Sequence, residues 1–306
     1  MCYIDNNESL IMRPIMTSLS MINSTFKILQ FTDLHLMKLP TDDQTYELMK
    51  SAIFDTRPDF LIITGDITMT SDNNNLLIDL REFLDSFKIY WSFVFGNHDH
   101  ESHLSLEEQA NILMIGKYCL FEKGNPLLKG CGNHYLKVVK NNKIISLLGM
   151  LDSHNTRIDI VNNQEIWSYD YIDQSQIDET IQTIETLKKE NSYFSSLFFF
   201  HIPLVDYKTA IKNQEKTIEG SYFEEVSCSK YDNFFFPQLL KTNTLKGVFV
   251  GHDHVCDFSF IKEGCLLAFG RCTGHYNYTI PSFQKGARII ELDDLGKVYS
   301  WIYLEK

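Results

Sequence analysis

Acidic and histidine side chains recur in this sequence as short clusters, each directly after an apolar run. They are Asp33-x-His35, Gly65-Asp66, Gly96-Asn97-His98-Asp99, His201 and Gly251-His252-Asp253-His254. Five of the ten histidines fall in these clusters, so imidazole is concentrated rather than scattered. Each cluster alone has an ordinary reading. Gly-Asp makes a turn, Asp-x-His a cap or solvated loop, and a histidine after three phenylalanines a hydrogen-bonded core residue. Taken together they have another reading. Carboxylate, imidazole and amide groups brought to one patch form a mixed N/O ligand set, which suits Fe, Mn or Zn better than Mg or Ca.

Such a patch needs elements that end side by side. Phe26–Phe31, Asp59–Thr64 and Ile89–Phe95 read as strands, and each stops at one of the clusters. Helical stretches lie between them: Tyr46, Met49 and Ile53 share one face, as do Leu76 or Leu77, Leu80, Leu84 and Phe87. Apolar strands alternating with helices indicate a parallel sheet covered on both faces, where ligands gather at the carboxyl ends of the strands. The second half reads differently. Asn141-Asn142 separates two β-type runs as a hairpin, and Asp173 caps a helix with the stripe Ile177, Ile181, Ile184 and Leu187. Ser196–Phe200 and Lys246–Val250 are strands ending at His201 and at Gly251, and further strand pairs turn at Glu263-Gly264 and Asp293–Gly296. Residues 100–135 and 205–230 read as loops.

No linker or repeat divides the 306 residues, so one domain with two packed sheets is expected over 25–306, after an N-terminal extension of residues 1–24. A net charge of −12 argues against nucleic acid held by a basic patch and against an anionic membrane surface. Seven cysteines, an odd number with no CxxC pair, suggest reduced thiols and a cytoplasmic setting. Arg13-Pro14 breaks any secretory h-region, and no run of 18 apolar residues spans a bilayer.

The ordered series DxH, GD, GNHD, H, GHDH resembles the calcineurin-like metallophosphoesterase superfamily from about Phe26 onwards. Gly96–Ser102, Tyr171–Gln176, His201–Leu204, Gly270-Arg271-x-x-Gly274 and Gly286–Arg288 are similar to its purple-acid-phosphatase-like branch. The resemblance implies a four-layer αββα sandwich of two mixed sheets flanked by helices, with two metal ions at the strand ends. It puts Asp33, His35, Asp66 and His254 on one ion and Asp66, Asn97, His201 and His252 on the other, with Asp66 shared. Two ions ~3.5–4 Å apart stabilise the attacking and departing oxygens and acidify a bridging water for in-line attack on phosphorus. Two divalent ions, two carboxylates and a hydroxide sum to about +1, so an anionic ester is attracted despite the acidic body.

His98, next to Asn97, is then expected to face the phosphoryl group, and Asp99 either orients that imidazole or caps a turn. Arg271 and His275 are substrate-contact candidates, Arg271 through a bidentate phosphate contact, with Tyr276 and Tyr278 nearby; a surface ion pair is the alternative for Arg271. Asp152-Ser153-His154, His100 and His103 are weaker candidates. Purple acid phosphatases carry a metal-bound tyrosine three residues after the bridging aspartate; here Met69 stands there, so no tyrosinate-to-iron colour is expected. The expected activity is phosphoester hydrolysis, on monoesters ahead of cyclic or linear diesters, with a phosphorylated small molecule or phosphoprotein as partner. An inactive interaction platform is the rival.

Overall fold

Strands as continuously apolar as Phe60–Thr64 can be buried only if both faces are covered, and the chain meets that demand with four layers. The computed structural model describes residues 16–306. In chain order the elements are β1 (Ser18–Ser20), β2 (Thr25–Phe31), α1 (Pro40–Thr56), β3 (Phe60–Thr64), α2 (Asn74–Ser86), β4 (Tyr90–Val94) and α3 (Leu106–Met114). Next come β5 (His134–Lys140), β6 (Lys143–Met150), β7 (Thr156–Val161), β8 (Gln164–Tyr169), α4 (Gln174–Glu190), β9 (Ser195–Phe199), α5 (Val205–Asn213) and α6 (Phe235–Leu240). The chain closes with β10 (Leu245–Val250), β11 (Ser259–Lys262), β12 (Cys265–Phe269), β13 (Gly286–Asp293) and β14 (Val298–Leu304).

One sheet has the order β14-β13-β2-β3-β4, with β2, β3 and β4 parallel and β13 antiparallel to β2. The other runs β1-β5-β6-β9-β10-β12-β11, with β6, β9, β10 and β12 parallel. Alternate residues of each strand serve different layers. Phe26, Ile28, Phe60 and Ile62 meet Leu148, Leu197, Phe199 and Phe249 between the sheets. Leu29, Leu61 and Ile63 point the other way, against Met49 of α1, Leu77 and Leu80 of α2 and Leu113 of α3. On the far side, Phe198, Val248 and Leu267 pack on Ile184 of α4, Tyr207 of α5 and Phe235 and Leu239 of α6. The expected αββα sandwich of two mixed sheets is therefore the observed one.

Three features depart from expectation. The fold does not begin at residue 25: β1 pairs in parallel with β5, and Leu19 and Met21 are buried in the inter-sheet core, while residues 1–15 lie outside the described residues. The stretches 100–135 and 205–230 contain α3 and α5 rather than loop alone. A separate two-stranded sheet, β7 with β8, stands apart from both main sheets. Among the described residues no helix is long and apolar enough to cross a membrane.

Candidate metal centre

The ligands sit where strands stop, and the backbone there is bent sharply. Asp33, His35, Asp66 and His252 all have positive φ, between 45° and 85°, a region that costs a non-glycine residue about 1–3 kcal/mol unless its surroundings enforce it. The surroundings do. Asp33 N–H donates to Gly65 C=O at 3.2 Å, His35 N–H to Asp66 C=O at 3.0 Å and Gly251 N–H to His201 C=O at 3.1 Å. The sheets are tied together at the same place. Gln30 Nε2 donates to Thr64 Oγ1 at 2.8 Å and to Val250 C=O at 3.0 Å, and His252 N–H donates to Asp33 Oδ1 at 3.1 Å. Glycine is required where backbones and ligands crowd: a Cβ on Gly96 would overlap the Asp66 carboxylate, and one on Gly65, at φ +90°, would strike the His201 ring.

Two buried groups of donors result, Asp33, His35, Asp66 and His254 in one and Asp66, His201 and His252 in the other; Asp66 belongs to both. Within each group the donor atoms lie within 4.8 Å of one another. Asp66 Oδ2 is 3.3 Å from His35 Nε2 and 3.1 Å from His201 Nε2, which places it between the groups. His201 Nδ1 is bonded to Thr64 C=O at 2.8 Å, so its Nε2 faces the site, 3.1 Å from Asn97 Oδ1 and 3.2 Å from His252 Nδ1. His254 Nε2 lies 3.7 Å from Asp33 Oδ1. Asp33 is held by Thr32 Oγ1–H at 2.8 Å.

Buried polar atoms are almost always paired, and here a cluster is not. His35 Nε2, Asp66 Oδ2, His252 Nε2 and His254 Nδ1 have no hydrogen-bond partner among the described residues. The donor set fits a dinuclear centre: Asp33, His35, Asp66 and His254 would hold one ion and Asp66, His201 and His252 the other, which would supply the partners that Asp66 Oδ2 and His35 Nε2 lack. Burial pushes His252 down to about 3 and His254 to about 2, leaving both neutral. Burial alone would also depress His201, but Asp66 and Asp33 outweigh it and raise it to about 9. In return His201 and His35 hold the Asp66 carboxyl well below its usual range against its own burial.

Six of the seven expected ligand residues thus fall in the two groups and Asn97 lies beside His201; the residues expected around them fare unevenly. His98 stands at the rim, its ring 5.0 Å from that of His35, its N–H donating to Asp66 Oδ1 at 2.8 Å. Asp99 does not orient it. The Asp99 carboxylate accepts from the N–H groups of Gly96 (2.8 Å), Ile67 (2.9 Å) and Thr68 (3.1 Å), tying the ends of β3 and β4 together. Burial, then Asp66, push it up to about 7. The partner of His98 Nδ1 is Glu101, at 2.7 Å.

Arg271 is not available to a phosphate. Buried to 5% exposure, it pairs with Asp257 at 2.6 Å, donates to Gln284 C=O at 2.7 Å and stacks 3.3 Å over the Phe283 ring. His275 faces away as well: its N–H donates to Thr45 Oγ1 at 3.0 Å and its Nε2 meets Glu305 at 3.1 Å. Both brace the segment after β12. Asp152 caps Cys131 N–H and His154 bonds Gln176 of α4. Met69 Sδ lies 3.1 Å from His35 Nδ1. Two aromatic rings cover the histidines instead. Tyr278 lies over His254 with centroids 4.3 Å apart and donates to Glu224 Oε2 at 2.5 Å, and Tyr169 stands edge-on to His252 at 4.4 Å. Nothing in the sequence marks Tyr169 apart from its place at the end of an apolar strand.

An αββα sandwich with a His/Asp/Asn ligand set at its parallel strand ends defines the metal-dependent phosphoester hydrolases. The chain belongs to the calcineurin-like phosphoesterase family, whose model matches residues 26–256. An Arabidopsis thaliana relative named probable inactive purple acid phosphatase 28 is 28% identical over 90% of this chain and 77% of its own length. Phosphatase DCR2 of Saccharomyces cerevisiae is 27% identical over 86% of this chain, which spans 50% of it. Among solved structures, a dimetal phosphatase from Danio rerio has a TM-score of 0.57 at 10% identity, over 92% of this chain and 100% of that one. Plasmodium GAP50, described as the anchor in the inner membrane complex, has the same TM-score at 11% identity, over 92% of this chain and 85% of that one. Likeness at such identity concerns the fold.

Proposed function

We propose that this protein is a metal-dependent phosphatase that hydrolyses phosphomonoesters, of a small molecule or a phosphoprotein. The observation that carries this reading is the gathering of Asp33, His35, Asp66, His201, His252 and His254 into two buried donor groups that share Asp66, with Asp66 Oδ2 and His35 Nε2 left unpaired. Two transition-metal ions held there, Fe, Mn or Zn, would supply Lewis acidity and an activated water. The chain supplies the rest. Asp66 and Asp33 offset part of the ionic charge, and the neutral His252 and His254 leave a surplus that attracts an anionic ester. Glu101 occupies Nδ1 of His98, so Nε2 is the atom free to hold the proton that the departing oxygen requires. Free thiols at Cys119, Cys131, Cys228, Cys256, Cys265 and Cys272 support a reducing, cytoplasmic compartment.

Relatives named probable inactive favour one rival: an interaction platform that keeps the ligands without turnover. Metal analysis of the purified protein joined to a panel of phosphomonoesters and diesters tests both. Two ions per chain, monoester turnover, and a loss of about 100-fold in kcat for His98→Ala are expected. Two bound ions with no ester hydrolysed would establish the platform instead. A diester rate far above the monoester rate would overturn the monoester assignment.

A further inference from the structure

The β7–β8 hairpin carries an apolar face that no part of the described protein covers. In its register Ile158 lies opposite Trp167, Ile160 opposite Glu165 and Thr156 opposite Tyr169, so these six side chains share one face. Ile158 is 63% exposed, Ile160 74% and Trp167 51%, large values for apolar residues set side by side. The other face anchors the hairpin. Arg157 chelates Asp159, lies 3.5 Å from Asp170 and stacks 4.7 Å over the Tyr171 ring, while Lys230 N–H donates to Ser168 Oγ at 2.9 Å. The apolar face is therefore held outward.

This strip is continuous with the metal centre. The Trp167 ring touches the Tyr169 ring, centroids 4.9 Å apart, and Tyr169 stands 4.4 Å from His252. From Tyr169 to the level of Ile160 the face runs about 14 Å along the strand. Its middle offers hydrocarbon, with the Thr156 and Tyr169 hydroxyls at the end near the metal centre and the indole N–H of Trp167 before Glu165. We propose that it receives the hydrocarbon tail of a monomeric amphiphilic phosphate ester whose head group lies at the metal centre. This rests on the phosphatase reading and names its substrate class. The side chains of this face before Glu165 carry no charge, so it offers a multiply charged leaving group no counter-charge.

Calorimetric titration of the metal-loaded protein with methyl-, butyl-, hexyl- and octylphosphonate tests this without requiring turnover. Only one side of a tail is covered on an open face, so affinity should rise about 2-fold per methylene. Trp167→Ala should flatten the series while leaving methylphosphonate affinity unchanged. Ile160→Thr, which keeps the β-branched shape, should flatten its long end. Equal affinity across the series overturns the strip and leaves the phosphatase reading standing. No binding of any phosphonate overturns both. A length-dependent series on a protein that hydrolyses nothing keeps the binding site and removes the enzyme. Binding of phosphatidate vesicles with a flat monomer series, or a dimer that Trp167→Ala dissociates, would give the face to a membrane or to a second copy and overturn the proposal.

Discussion

Asp99 and Glu101 lie two residues apart and do different work, which only their surroundings decide. Asp99 is buried and takes three backbone N–H groups, so it holds β3 against β4; Glu101 is half exposed and holds His98. Asp99→Asn would turn amide hydrogens toward those donors and should lower stability by about 3 kcal/mol in a denaturant titration. Glu101→Gln should leave the unfolding midpoint unchanged and reduce kcat about 10-fold. The reverse pattern would return the orienting role to Asp99. Arg271 carries the same lesson. Its type suits phosphate, but Asp257 and Phe283 already occupy its fork and its face.

Elements were legible where a strong local signal was present, and some signals recur unread. Asn141-Asn142 marks the β5–β6 hairpin, and Asn162-Asn163 marks β7–β8 in the same way, all four residues at positive φ between 50° and 62°. The second pair is easily passed over because its strands carry Ile158, Ile160 and Trp167 outward, contrary to the usual placing of apolar residues. The helix α3 was announced by Ser105 and Glu108, which form a reciprocal capping box at its start. Ser105→Ala should cost about 1 kcal/mol, read from a shifted denaturation midpoint, since Glu108 N–H loses its acceptor. An unchanged midpoint would show that this helix is held by packing of Ala110 and Leu113 alone. The helix α5 has nine residues and no side-chain cap, so tertiary packing of Tyr207 and Ala210 defines it.

At the scale of the whole molecule, folding burdens the chain with histidines that cannot charge. His134 lies buried outside the metal centre, its Nδ1 bonded to Gly132 C=O at 2.6 Å and its Nε2 to Ser92 Oγ at 2.8 Å, and burial lowers it to about 4. The unfolded chain takes up this proton near pH 6.5 and the folded one only near 4, so stability falls as pH drops between those values. The difference amounts to about 3 kcal/mol. His134→Gln should be less stable at pH 7 yet lose less between pH 6.5 and 4, followed by thermal melts; an unchanged slope would assign acid sensitivity elsewhere. The sequence by itself determined the candidate ligand clusters, the strands that carry them and a domain of two packed sheets, because strand ends and apolar periods are local and the residue types of the clusters suit metal chemistry. Tertiary structure alone decided which charges are spent. It locked Arg271 on Asp257, gave His98 to Glu101, set Tyr169 against His252 and left Trp167 uncovered. Those outcomes depend on contacts between residues far apart in the chain, and residue type alone does not specify them.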